Sequence, residues 1–390
     1  MPALAFVAMG ASASSSDAAG STVPKASTRH MSPGAAAAAV DGDRRQNGEE
    51  TGGRDPENPD LTSMDIVAFS SRLIAAARAF ESRRADRLFS DPYAELLAGP
   101  DAMQISEDRR KAKAEEEAAL LRPAAAAAEG AAEATTAVAA AGGEDKGSER
   151  RLAIRTRFCD DFFEDCAGRR GIKQVVSVGA GMDTRGLRLK AAEGTKVFEV
   201  DQALVLRVKS ALLKAATAAD EVAASVAGFR ERRDGGVGQA RVVSVEADLS
   251  VEGWEGELFE AGFDPSLPSA WILEGLTMYL EEEELVSLIR VIAKLSSAGS
   301  AFCATTVSAE SLVRAQTSGS HLMGTWKWGS DDPQRFFTEA FPVGWSFTGV
   351  RCGTPGEFPD GADYGVGFKG KAPAYVVGYL SSGASSRQEL

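Results

Sequence analysis

A pair of glycines and an acid twenty positions after the second of them have the types and spacing to hold a nucleoside. Gln174 to Asp201 reads QVVSVGAGMDTRGLRLKAAEGTKVFEVD: an apolar run, a glycine turn, a short helical stretch, and a second apolar run ending on an acid. Val175, Val176 and Val178 are β-branched and suit a strand. It stops at Gly179-Ala180-Gly181, where absent or small side chains let backbone N–H groups approach a ligand. Lys196 to Val200 forms a second strand that delivers Asp201. In a parallel α/β sheet that carboxylate stands beside the turn and can accept hydrogen bonds from the two hydroxyls of a ribose.

The spacing is not a dinucleotide fingerprint. Met182, Asp183 and Thr184 follow the second glycine, so the third glycine of G-x-G-x-x-G is missing, and Gly186 comes too late. A glycine pair by itself also marks ordinary tight turns. The missing glycine and the acid Asp183 both disfavour a pyrophosphate, and a cationic, phosphate-free cofactor such as S-adenosylmethionine fits better.

Further charged residues fall at strand ends. Arg241 to Ala247 reads as a third strand ending at Asp248-Leu249. An acid there can hydrogen-bond the exocyclic amine of an adenine, or cap the segment that follows. Ala270 to Leu273 reads as a fourth strand, and Glu274 is the first polar residue beyond it, in the crevice where open α/β sheets bind ligands. Met278-Tyr279-Leu280 then leads to Glu281–Glu284, acids suited to compensating a helix dipole. In the preceding helix, Arg150 to Cys166, Ile154, Phe158, Phe162 and Phe163 face inward. Arg155 or Arg157 can clamp a carboxylate bidentately, or pair with Asp160 or Asp161 on a solvated face.

The elements that must position these residues follow from periodicity. From Ser63 to Ser82, Ile66, Phe69, Leu73, Ile74, Ala77 and Phe80 recur at three and four residues, one face of a helix. Pro92 opens a short helix through Leu97 that Gly99-Pro100 ends. Leu204 to Leu213 is helical, with Arg207 and Lys209 read as solvated charges. A fifth strand, Ser300 to Val307, and late strands near Ser346–Arg351 and Ala374–Tyr379 bring the count to seven, with helices between them. The expected organisation is a disordered or targeting segment over 1–61, an N-terminal helical region over 62–100, a low-complexity insertion over 101–148, the α/β domain over 149–380 and a tail over 381–390.

Composition narrows the function classes. The chain has 390 residues, 44% hydrophobic, with a net charge of −13, which disfavours nucleic acid because no basic stripe would meet the phosphates. No apolar run approaches the roughly 18 residues of a membrane span. Four cysteines, Cys159, Cys166, Cys303 and Cys352, lack disulfide or zinc spacing and read as reduced, buried thiols. His30 and His321 are the two histidines, so no metal site is expected. The Ser/Ala-rich start is compatible with a transit or signal segment, leaving a cytoplasmic or organellar location. The terminal RQEL is a chance echo of a retention signal.

QVVSVGAGMDTRGLRL, VFEVD, EADL and PSAWILEGLTMYLEEEEL, in that order, resemble the leucine carboxyl methyltransferase family, and more closely its bacterial-type S-adenosylmethionine-dependent branch. DPYAELLAG, RTRFCDDFF and WGSDDPQRFF also look like that branch. The resemblance spans about Ser63 to Leu380. It implies a class I methyltransferase (Rossmann-like) fold, a seven-stranded doubly wound α/β sheet with an N-terminal helical lid. Carried over by motif, Arg155 would bind the methionine carboxylate, with Arg157 as alternate. Gly179 and Gly181 would line the turn, Asp201 would hold the ribose, Asp248 and Leu249 would flank the adenine, and Glu274 would sit near the amino group. Tyr279 matches a tyrosine near the substrate pocket, a candidate with no catalytic role assigned.

The expected activity is O-methylation of a small-molecule carboxylate or hydroxyl, with no obligate protein partner. Protein C-terminal carboxyl methylation is the alternative, weakened because the lid lacks a match to the features that grip a phosphatase tail. A nicotinamide-dependent oxidoreductase and a catalytically silent cofactor-binding protein are the readings from other classes. A carboxylate acceptor needs no general base, whereas an alcohol is helped by one. The scarcity of histidine therefore leans the sequence towards an acidic acceptor, a lean that a lysine in the lid pocket would oppose.

Overall fold

The computed structural model describes residues 64–127, 147–220, 238, 240–350 and 375–381. The readings for the N-terminal segment over 1–61, for 128–146, for Cys352 and for the tail beyond 381 lie outside them. Five parallel strands come first: β1 (Gln174–Val178), β2 (Lys196–Asp201), β3 (Arg241–Glu246), β4 (Ser269–Leu273) and β5 (Ala301–Thr305). Then β6 (Trp345–Val350) and β7 (Tyr375–Leu380) complete one sheet in the order β3-β2-β1-β4-β5-β7-β6, with β7 antiparallel to both neighbours. This is the class I methyltransferase, Rossmann-like fold expected from sequence, with strand boundaries within two residues of the reading.

Strand order places the site. β1 lies between β2 and β4, and the chain leaves it in opposite directions, so a crevice opens at the shared carboxyl edge. Register aligns that edge: Val178 faces Val200, and Asp201 faces Glu246. Side chains of β1, β4 and β5 are buried throughout, as strands covered on both faces require. Phe198, Trp271 and Phe302 pack on one face with helix Glu282–Leu295, and Val175, Ile272 and Cys303 pack on the other with helix Gly147–Phe163.

Helix α1 (Ile66–Ser82) forms where expected and closes over the crevice, but its buried side is Ala75, Ala76 and Ala79 with Arg72 and Arg78. Of the six apolar positions read as its inward face, Phe69, Leu73 and Phe80 are half-buried beside that side and Ile66 is exposed. The helix that opens at Ala94 ends at Gly99-Pro100 as the sequence reading has it: Gly99 takes φ 70 and ψ 169, outside helical values, and a second helix starts at once and runs on to Ala127. Proline costs little at the start of that second helix, where its missing N–H is not needed. Ala102, beyond the break, is fully buried, so the 101–148 segment begins as part of the lid, while its next turns are mostly exposed. Among the described residues no helix is long and apolar enough to cross a membrane.

Candidate functional site

The glycine turn is held by backbone geometry that side chains would obstruct. Gly179 and Gly181 take φ 66 and 50, in the left-handed region. A β-carbon on Gly181 would come within 2.8 Å of the Ser71 β-carbon on α1, and one on Gly179 within 3.0 Å of Leu276 Cδ1. Gly179 and Ala180 donate to the Val200 carbonyl at 2.9 and 3.0 Å. Gly181 N donates to Asp201 Oδ2 at 2.6 Å, and Gln202 N to Oδ1 at 2.7 Å. The acid at the end of β2 thus caps the turn and faces the crevice. Burial pushes its pKa above the usual carboxylate range, and the two backbone donors offset part of that rise.

Asp183 is not an exposed acid at the tip. It folds inward, accepting from Ser177 Oγ at 3.0 Å and Arg185 N at 2.9 Å. Burial opposes its charge, but Arg185 and Lys209 outweigh burial and hold it far below the ordinary range. Lys209 corrects a second expectation: it is buried, with Nζ on Glu199 Oε2 at 2.6 Å and on the Asp183 carbonyl. Its helix, Ala203–Asp220, lies against the sheet, and Lys209 reaches under the turn from the packed face. Arg207 is exposed as expected.

The helix register that sequence left open is resolved. Arg155 faces the crevice, with Nε on Glu274 Oε1 at 2.9 Å. Arg157 turns away to Asp161 at 2.7 Å and the Leu88 carbonyl at 3.2 Å. Glu274 takes a second partner, Arg185 Nη2, at 2.6 Å. Burial would raise the pKa of Glu274, and the two arginines, Arg185 foremost, bring it below the usual value.

At the end of β3, Asp248 is exposed. Its Oδ1 accepts from Ser250 N at 3.0 Å and Ser250 Oγ at 2.7 Å, which depresses its pKa. This is a local turn, not the cap of the following helix, which begins at Glu255. Leu249 is half-buried against the core. Tyr279 lies in the short 3-10 turn Thr277–Tyr279 beyond β4.

One cavity of about 1700 Å³ is lined by Arg155, Gly179, Gly181, Asp201, Asp248, Leu249, Glu274 and Tyr279 together. Its volume exceeds the roughly 300–1,000 Å³ usual for one ligand. The space continues past Tyr279 to the β5 end, Ser311, Arg314, Met323 and Lys327. His321 is exposed and does not line it.

Several residues beneath the site escaped the sequence reading. Arg185 and Arg188 both reach Asp160, at 2.8 and 2.6 Å, and Arg78 of α1 bonds Asp91 at 2.9 Å and the Met182 carbonyl at 2.5 Å. Arg78, Arg155, Arg185 and Arg188 are thus met by Asp91, Asp160, Asp183 and Glu274, joining α1 and the Gly147–Phe163 helix to the turn. The available signal was Asp183-Thr184-Arg185 itself, two charges beside a glycine turn between buried strands. Cys159, Cys166 and Cys303 are buried free thiols, and burial pushes Cys166 well up.

Comparison with known proteins agrees with this geometry. The family model for leucine carboxyl methyltransferase matches residues 71–293. A Saccharopolyspora erythraea protein named "Putative S-adenosyl-L-methionine-dependent methyltransferase" is 33% identical over 280 residues, covering 71% of this chain and 79% of its own. A Mycolicibacterium smegmatis protein of the same name is 36% identical over 231 residues, covering 58% of this chain and 59% of its own. A solved structure described as a DUF574 family protein from Streptomyces avermitilis is similar at TM-score 0.40 and 14% identity, over 59% of this chain and 83% of that one. The chain belongs to the leucine carboxyl methyltransferase family.

Proposed function

We propose that this chain is an S-adenosylmethionine-dependent methyltransferase that methylates an oxygen of a small molecule, a carboxylate or a hydroxyl. The carrying observation is that residues from four successive strand ends, chosen for one ligand, line one cavity. Their chemistry fits the parts of that ligand in order. Arg155 and Glu274 offer opposite charges to a zwitterionic amino-acid group, Asp201 offers carboxylate oxygens to a ribose diol beside the turn, and Asp248 with Leu249 offers an acceptor and an apolar edge to an adenine.

Held by Arg155, Glu274 and Asp201, S-adenosylmethionine would supply an activated methyl on a sulfonium for transfer to an acceptor oxygen. The protein's work is therefore positioning and exclusion of water, and orientation of this kind lowers barriers by up to roughly 7–11 kcal/mol. Glu274 and Arg155 fix the amino-acid end, while α1 closes over Gly181 and restricts water. Tyr279 lines the cavity and is the candidate to contact the acceptor. Lys327 also lines it, 3.6 and 3.7 Å from Glu281 and Glu284. With a lysine there, the lean towards an acidic acceptor no longer holds, and carboxylate and hydroxyl stand level.

Calorimetry with S-adenosylhomocysteine on wild type and Asp201→Ala, followed by a methyl-transfer screen over small carboxylic acids and phenols, tests the reading. Binding that survives the substitution undiminished would overturn the site assignment.

A further inference from the structure

The cavity holds two arginines on one glutamate, and they are not equivalent, a difference whose use rests on the cofactor being S-adenosylmethionine. Arg155 comes from the lid side, with its side chain 17% exposed. Its guanidinium lies so close over Gly275 that a β-carbon there would stand 3.2 Å from Nη1. Arg185 comes from below the turn, 4% exposed. Asp160 approaches its Nε at 2.8 Å as an ion pair without hydrogen-bond alignment, Asp183 meets Nη1 at 3.2 Å, and the Thr156 carbonyl accepts from Nη2 at 3.3 Å. Its remaining reach goes to Glu274 Oε2, at 2.6 Å.

A zwitterionic amino-acid group needs a cation and an anion a few ångströms apart. If Arg155 were the sole partner of Glu274, a ligand carboxylate would compete with Glu274 for it and leave a largely covered acid stranded, a costly arrangement. A second, buried cation removes that conflict. We propose that Arg185 is the positioning residue of this site: it pins Glu274 from beneath and aims its carboxylate into the cavity, so that Arg155 can serve the carboxylate of the same ligand. Asp160, which does not line the cavity, sets Arg185 in turn.

The test compares two nucleosides on the full chain. S-adenosylhomocysteine carries the amino-acid group, and 5′-methylthioadenosine is the same thioether nucleoside without it. Arg185→Lys is expected to weaken S-adenosylhomocysteine by roughly 10-fold or more while moving methylthioadenosine by less than about 2-fold, as loss of a charge-assisted contact predicts. Asp160→Asn is expected to give the same selective loss, smaller in size. Equal losses on both nucleosides, or no loss, would show Arg185 to be structural and overturn the proposal. Should Arg185→Lys not fold, Asp160→Asn decides by the same criterion. A wild-type chain that binds neither nucleoside sinks the cofactor reading itself, an outcome distinct from failure of the Arg185 assignment.

Discussion

At the glycine-turn end of the cavity, Asp183 and Glu199 are buried, Glu274 has only 14% of its side chain exposed, and each is met by a cation. Along the far wall the charges are exposed: Arg314 pairs with Glu310 at 2.7 Å with 74% of its side chain in solvent, and Lys327 stays beyond 3.5 Å from its two glutamates. The family match has the same division. It runs over 71–293, through all eight candidate residues, and stops before β5 and the wall beyond it. Buried pairs tolerate little change, because removing one partner strands the other, whereas exposed pairs contribute little and can be exchanged. Under the proposed function, the turn end holds the methyl donor in one pose and the far wall sets which acceptor enters.

The comparison breaks most visibly at Lys209. Lys209→Met strands Glu199 under the turn and is expected to lower unfolding stability by roughly 3–5 kcal/mol, read from the urea midpoint. The double variant with Glu199→Leu should recover much of that loss. A single variant as stable as wild type would show that the buried pair is not what supports the turn.

Acid should strike the same end. Asp91, Asp183 and Glu274 have folded pKa values depressed by their cations, against roughly 3.9 and 4.3 in the unfolded chain. Their stabilisation is complete above those unfolded values and is lost as pH falls through the folded ones, because the unfolded chain takes up protons first. Glu199 and Asp201, raised by burial, act in the opposite sense and are relieved on mild acidification. Unfolding midpoints should therefore fall steeply below about pH 4, and Asp91→Asn should flatten that limb. A limb equally steep in the variant would remove Asp91 from the account.

At Asp201 the effect moves from stability to binding. Asp201→Ala removes the partner of Gly181 N and, under the proposed function, both acceptors of the ribose, so S-adenosylhomocysteine should bind roughly 100-fold more weakly, about 2.7 kcal/mol. Affinity in wild type should also decline on acidification before the ordinary carboxylate range is reached, since the folded pKa of Asp201 is raised and the ionised form accepts the hydroxyls. A pH-independent affinity between neutrality and pH 4 would contradict that.

How legible each end was follows from the physics of its residues. Strands covered on both faces must be β-branched and apolar, and acids that end them stand out, so β1, β2 and β4 and the acids Asp201 and Glu274 could be read directly. Lys209 and Arg185 could not. A lysine in a helix is ordinarily solvated, and its burial here depends on Glu199 from another strand, a pairing that exists after folding brings the two together. Gly99-Pro100 could be read as a helix end, but the helix that starts beyond it could not: Leu97 and Ala98 before the break and Ala102 after it are buried in one cluster with Ala75 and Ala76 of α1, and that packing joins the two helices only once the chain has folded. The choice between Arg155 and Arg157 needed the helix register, which one sequence does not fix.

The smallest effect sharpens the comparison from the other side. Arg314→Ala removes an exposed i,i+4 pair from helix Ala309–Thr317, worth roughly 0.3–0.5 kcal/mol, so the urea midpoint should barely move. S-adenosylhomocysteine affinity should also hold, because Arg314 pairs with Glu310 and touches none of the pairs at the glycine turn. The KM for the acceptor should change, with kcat nearly preserved, since under the proposed function a cavity-lining residue beyond β5 contributes to acceptor binding and not to the methyl donor's pose. A loss of S-adenosylhomocysteine affinity in Arg314→Ala would show that the two ends of the cavity are one site, and that the division drawn from burial does not correspond to a division of labour.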